Sequence, residues 1–193
     1  MTANVKFAKV KPDAIIPSKR DEDMGFDIYA CFDEDYIKLS YYETKLIPTG
    51  IASSCDSGYG FVLKERGSTG SKGIALRCGV IDSGYRNEWF IALTNTTDKE
   101  IFISKIDAKE ILQKEYPDGW HVYNYAPNGE LAYDYEMTDE QLLNSIIVYP
   151  YSKAIAQALV IPVPTVNVEE ITYNELQNIP SERGIGALGS SNK

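Results

Sequence analysis

Short apolar runs, each closed by a Gly, Pro, Asn or Asp turn signal, recur along most of this chain and leave little room for long helices. Phe26, Ile28 and Ala30 alternate with Asp27 and Tyr29 behind Gly25. Two more runs surround Tyr41 and Tyr42 between Tyr36 and Ile51, with Pro48-Thr49-Gly50 as a turn, and Phe61 to Arg66 forms another. Trp89 to Ile103 carries two runs joined by Asn95-Thr96-Thr97-Asp98, and Ile155 to Pro162 is the last. Near the start, Val5, Phe7 and Lys9 alternate with Lys6 and Ala8 before the breakers Pro12 and Pro17, which suggests an edge strand. Strands of this length separated by turns predict an all-β domain.

The texture changes between about Ile106 and Tyr149. Asp107 to Lys114 has helical spacing around Ile111 and Leu112, and Thr138 stands as a cap before Asp139 to Leu143. Between them, Pro117-Asp118-Gly119 and Pro127-Asn128-Gly129 flank a run rich in tyrosine. The segment 106–149 therefore reads as a small mixed insertion in a core of residues 1–105 and 150–180, followed by a tail, 181–193. Its aromatics Trp120, Tyr123, Tyr125, Tyr133 and Tyr135 would form either a partner-binding surface or a satellite core over one sheet edge.

A chain of 193 residues with a net charge of −9 is sized for one substantial core and carries no basic stripe for nucleic acid or an anionic membrane surface. No apolar run reaches the length of a membrane span. Cys31, Cys55 and Cys78 lack metal-site spacing and are odd in number, which fits reduced thiols and a cytoplasmic location. His121 is the only histidine, so multi-histidine metal sites are excluded.

Three stretches carry chemistry. Gly79 to Trp89 places Asp82, Tyr85 and Arg86 in a glycine-interrupted turn and predicts a hairpin with Asp82 near its tip, where the carboxylate would either act on a ligand or cap its own turn. Gly67 to Gly73 combines three glycines, three hydroxyls and Lys72 directly after Arg66, a composition suited to a phosphate and equally to a solvated loop. Gln157 is the one large polar residue of an apolar strand and needs a partner there.

Five stretches in order resemble the five motifs of the trimeric deoxyuridine triphosphatase (dUTPase) family: Asp23 to Ala30, Arg66 to Gly70, Gly79 to Arg86, Ala154 to Leu159, and Arg183 to Ser191. The resemblance is closest to phage-type members that carry an insertion. It implies a distorted, jelly-roll-like β-barrel that assembles as a homotrimer, and hydrolysis of dUTP to dUMP and pyrophosphate with Mg2+. It implies Asp82 as the residue that activates the attacking water, and Tyr85 under the deoxyribose. The backbone of Gly79, Val80 and Ile81 would read uracil. Arg66, Gly67, Ser68 and Gln157 would meet the phosphates, and Asp27 would meet the metal through water. Arg183, Leu188, Gly189 and Ser190 would close over the substrate from the C-terminal arm. Departures from the family pattern are Gly67 between Arg66 and Ser68, Ser152-Lys153-Ala154 where glycine and arginine are common before Ile155, and Leu188 in place of a stacking phenylalanine. The resemblance also leaves open dCTP deaminase, which shares the fold, and a regulatory partner of repressor type bound through 106–149.

Overall fold

The computed structural model describes residues 2–182 and 184, except the side chains of Asn124 and Tyr133. It comprises two units, Met1–Val163 and Pro164–Lys193. In the first, β1 (Val5–Lys9) pairs antiparallel with β5 (Ile51–Cys55), setting Phe7 opposite Ser53. A four-stranded sheet runs β2 (Phe26–Ile28), β14 (Ala156–Pro162), β6 (Tyr59–Lys64), β8 (Val80–Ile81). A three-stranded sheet runs β4 (Thr44–Pro48), β9 (Phe90–Asn95), β7 (Ile74–Leu76), and another runs β13 (Ile146–Pro150), β10 (Glu100–Ser104), β3 (Tyr36–Leu39). Among the described residues, the hairpin β11 (His121–Tyr125) and β12 (Leu131–Glu136) pairs only with itself.

The all-β expectation holds, but closure does not: among the described residues the ladders form five separate sheets rather than a ring. Barrel closure needs continuous strand-to-strand hydrogen bonding. Here strands of two to seven residues run out too soon, and Pro48, Pro150 and Pro162 end three of them without an N–H to donate.

The alternation read from the sequence builds the core. Ile28, Ile47, Phe61, Leu63, Ile91, Leu93, Ile101 and Ile103 are each at most 2% exposed. Burial of one such side chain stabilises by roughly 1.5–3 kcal/mol. Trp89 sits edge-on to Phe61 at 5.0 Å and to Phe7 at 5.8 Å, so it joins the β1–β5 pair to the four-stranded sheet.

A second cluster covers the opposite face of β10, because Phe102 points away from Ile101 and Ile103. A single helical turn, α1 (Gly67–Gly70), lies between β6 and β7. Against Phe102 pack Ile111 and Leu112 of α2 (Ala108–Glu115) and Leu142 of α3 (Asp139–Ser145). Asp107 caps α2 by accepting from the Glu110 N–H at 2.9 Å, and Thr138 and Gln141 form a reciprocal capping box on α3. Of the aromatics of 106–149, Trp120 packs on Tyr116 at 4.5 Å in the second cluster, while Tyr123, Tyr125 and Tyr135 stand exposed on the hairpin. The segment ends in a core strand, since β13 runs parallel to β10 with Glu100 beside Ile146 and Ser104 beside Pro150.

Lys38 fastens α2 to the sheet. Its ammonium lies 2.8 Å from both Glu100 Oε1 and Glu115 Oε2, and 5.6 and 5.5 Å from the ring centres of Phe102 and Tyr116. Tyr36 donates to Glu115 at 2.6 Å and Tyr116 donates to Glu100.

The second unit carries α4 (Tyr173–Asn178), capped by Thr172. Among the described residues no helix is long and apolar enough to cross a membrane. All three cysteines are free, with Cys31 and Cys55 buried.

Candidate active site

Antiparallel pairing places Asp27 of β2 opposite Gln157 of β14, and Gln157 in turn opposite Lys64 at the end of β6. The chain leaving β6 reaches Arg66, whose guanidinium grips Asp27 with two contacts, Nε to Oδ1 at 3.0 Å and Nη2 to Oδ2 at 3.2 Å. Gln157 Nε2 donates to the Glu65 carbonyl at 2.8 Å, which supplies the partner its position demanded. Gly25 is needed beneath it: a Cβ there would stand 3.0 Å from Gln157 Oε1. These residues line an open cleft of about 560 Å³ together with Lys19, Arg20 and Asp23. Arg20 holds Asp23 in a second bidentate pair, and that hydrogen bonding lowers the Asp23 carboxyl to about 2.

The loop after Arg66 is tighter than its glycines suggest. It winds into α1, and Thr69, 1% exposed, accepts from the Arg66 N–H and donates to the Arg66 carbonyl. Tyr149 gives its single hydroxyl hydrogen to the Ala154 carbonyl at 2.7 Å, so Ser68 must donate to Tyr149 at 3.2 Å. The Ser68 hydroxyl is thereby turned toward the protein.

Asp82 and Tyr85 lie on a loop that is not a hairpin. Val80 and Ile81 pair with Val62 and Phe61 of β6, whereas β9 pairs with β4 and β7. The physical reason is Trp89: its side chain is fully buried and its backbone N–H donates to the Ile51 carbonyl at 2.8 Å, which draws the chain into a different sheet. Alternation fixes which residues face inward but not which strand they pair with.

This loop is tied down at several points. Arg86 Nη1 donates to the carbonyls of Ser83, Tyr85 and Ser53. Glu88 Oε1 accepts the Gly50 N–H at 2.7 Å, and Thr49 Oγ1 donates to the Trp89 carbonyl at 2.7 Å. Tyr85 donates its hydroxyl to the Glu88 carbonyl at 3.0 Å and its N–H to the Asp82 carbonyl at 3.1 Å. Asp82 itself is exposed and borders a hollow of about 110 Å³ that Phe61 and Val80 also line.

Within one chain, then, Asp27, Arg66 and Gln157 share a cleft, and Gly79, Val80, Ile81, Asp82 and Tyr85 share a braced loop beside a different pocket. Arg183, Leu188, Gly189 and Ser190 lie outside the described residues. Sequence reasoning missed the contribution of Lys19, Arg20 and Asp23, although Arg20 and Asp23 are an opposite-charge pair three residues apart. It also missed Arg86 and Glu88 as supports: the bonds of Arg86 to Ser83 and Tyr85 are local, but those of Arg86 to Ser53 and of Glu88 to Gly50 join residues more than thirty apart in sequence and leave no local signal.

Known proteins resemble this chain in sequence and in fold. A deoxyuridine 5'-triphosphate nucleotidohydrolase of Helicobacter pylori is 28% identical over 123 residues, 58% of this chain and 79% of that protein. One from Buchnera aphidicola is 37% identical over 87 residues, 43% of this chain; the match spans only 56% of the Buchnera protein. Among solved structures, a variant of the Staphylococcus bacteriophage 80alpha dUTPase with dUpNHpp shares the fold at a TM-score of 0.64 and 21% identity, covering 97% of this chain and 98% of that one. The dUTPase of Staphylococcus aureus phage phi11, in a variant showing a structural Mg(II) ion, gives 0.56 and 20%, covering 87% of this chain and 96% of that one. Residues 11–108, just over half of the sequence, match the family model described as dUTPase. The chain belongs to the dUTPase family.

Proposed function

We propose that the protein hydrolyses dUTP to dUMP and pyrophosphate by water attack at the α-phosphate. The observation that carries this reading is Asp82, an exposed carboxylate on a loop braced by Arg86 and Glu88. Such a group can orient a water and accept its proton as the oxygen attacks. Tyr85, steadied by its bond to Glu88, packs its ring under the deoxyribose and leaves no room for a 2′-hydroxyl. The Gly79–Ile81 backbone reads the base edge. Arg66, with Gly67 and Ser68 beside it, and Gln157 bind the phosphates.

Because the acid loop and the cation cleft are separate within one chain, the complete site is shared between subunits of a homotrimer, with the loop of one facing the cleft of its neighbour. Both Asp27 oxygens are engaged by Arg66, and the described residues contain no cluster of three or more His, Cys, Asp or Glu able to cage a metal. That donor set fits a hydrated Mg2+ carried on the substrate phosphates, with Asp27 touching its water shell. When bound, the ion neutralises charge on the phosphates. The free cysteines support a reducing, cytoplasmic setting.

The test is dUTP turnover with Mg2+ by wild type and Asp82→Asn, with dCTP alongside. Loss of turnover in the variant with retained nucleotide binding is expected; equal turnover, or deamination of dCTP without pyrophosphate release from dUTP, refutes the assignment. A second role, docking of a repressor-type protein on 106–149, is supported by the exposed Tyr123, Tyr125 and Tyr135. Binding undiminished by serine at Tyr123 and Tyr125 refutes it.

A further inference from the structure

The cleft around Asp27 holds more positive charge than the five motifs account for, and its cations differ in what they are bonded to. Asp27 donates its N–H to the Ser18 carbonyl at 2.9 Å, an isolated bridge that lays the segment after Ser18 along the edge of β2. Lys19 and Arg20 line the cleft as a result. Arg66 is neutralised by Asp27 and Arg20 by Asp23, each through two carboxylate contacts. Lys19 is different. Its ammonium is held by two neutral groups, the Asp23 carbonyl at 2.9 Å and the Arg20 carbonyl at 3.1 Å, and lies 5.9 Å from the centre of the Phe26 ring. Among the described residues no carboxylate is within ion-pair distance of it.

An ammonium seated on two carbonyls keeps its full charge and one N–H for a further acceptor. The two arginine pairs cost an incoming anion the displacement or sharing of a carboxylate; Lys19 imposes no such cost. We propose that Lys19 is a phosphate-binding residue of this site, contacting the pyrophosphate portion of the substrate, a role that rests on the cleft being the phosphate end of a dUTP site.

The experiment compares wild type with Lys19→Met, which keeps the aliphatic stem over Phe26, and Lys19→Arg, which keeps the charge. Steady-state dUTP hydrolysis, dUMP binding and tripolyphosphate binding are measured on the full chain. A lost charge-assisted hydrogen bond should raise KM for dUTP about tenfold or more in K19M, with kcat within about twofold, and weaken tripolyphosphate by a similar factor. Binding of dUMP should stay unchanged, and K19R should resemble wild type. A KM in K19M within twofold of wild type, or equal weakening of dUMP and dUTP, overturns the proposal. If wild type turns over no dUTP, the proposed function falls on its own; Lys19 is then judged on tripolyphosphate alone, where undiminished affinity in K19M overturns it.

Discussion

Lys38→Met should be among the most damaging single substitutions in the protein, although it touches neither the cleft nor the Asp82 loop. The ammonium stands between Glu100, 7% exposed, and Glu115, at 2.8 Å from each. Methionine fills the same volume but leaves two carboxylates close together and half-desolvated against Phe102 and Tyr116. Removing one partner of a buried ion cluster costs about 3–5 kcal/mol, and in a chain of this size each kcal/mol moves Tm by about 2–4 °C, so a loss of about 6–20 °C is expected at pH 7.5. The pH dependence gives a sharper check. In the wild type, burial pushes the Glu115 carboxyl up, but hydrogen bonds from Lys38 and Tyr36 outweigh it and hold it below the usual carboxylate range. A depressed carboxyl contributes stability above its unfolded value and loses it as pH falls through the folded value. Without Lys38 the burial of Glu115 prevails, its carboxyl takes up a proton more readily than in the unfolded chain, and the deficit should narrow as pH falls from 7.5 toward 5. Thermal scans of both proteins at equal concentration, which holds any contribution of assembly to Tm fixed, measure this. A loss under about 3 °C, or one that does not shrink on acidification, refutes the reasoning.

Two further outcomes follow from the geometry and one from the sequence. Glu88→Ala, which deprives the Gly50 N–H of its acceptor, should lower kcat by about tenfold or more through misplacement of Asp82, whereas Glu88→Gln keeps an oxygen there and most of the turnover. Gly50→Ala forces φ +65° on a residue with a Cβ and brings that atom within 2.8 Å of Ala14 Cβ; urea unfolding should show about 2–5 kcal/mol of destabilisation. Leu188→Phe supplies an aromatic face for the base, a contact worth about 1–3 kcal/mol in proteins that stack on nucleotides, and should lower KM for dUTP in steady-state assays.

What could be read from the sequence was local. The period-two alternation around Phe26, Phe61 and Trp89 placed the strands, and Asp107 and Thr138 marked the helix starts, because those signals depend on neighbours a few residues away. The cap at Thr138 and the partner requirement of Gln157 both reappear as hydrogen bonds. Strand pairing was not legible, since Val80 and Ile81 offer the same edges to β9 as to β6 and only the burial of Trp89 decides between them. The glycines after Arg66 suggested an open loop, yet Thr69 folds back on Arg66 and closes a helical turn. Asp27 and Arg66 were each singled out for different ligands; that they grip each other depends on the order of strands across a sheet, which no local pattern encodes.

The parallel alignment of β10 and β13 limits how the segment between them can be re-engineered. An antiparallel return needs only a tight turn, but here the chain leaves at Ser104 and must re-enter beside Glu100, a strand length or about 13 Å back at 3.3 Å per residue. Excising 107–148 would remove most of β13 with the segment and leave β10 an open edge. A cut confined to 107–145 and bridged by a strap of a dozen or so residues keeps both strands. Among the described residues nothing between those two anchor points joins the strand ladder of the core, but α2 and α3 cover Phe102, and Glu115 and Tyr116 hold Lys38, Tyr36 and Glu100; the hairpin between the helices can vary in length and surface, whereas any strap that replaces the helices has to restore that cover.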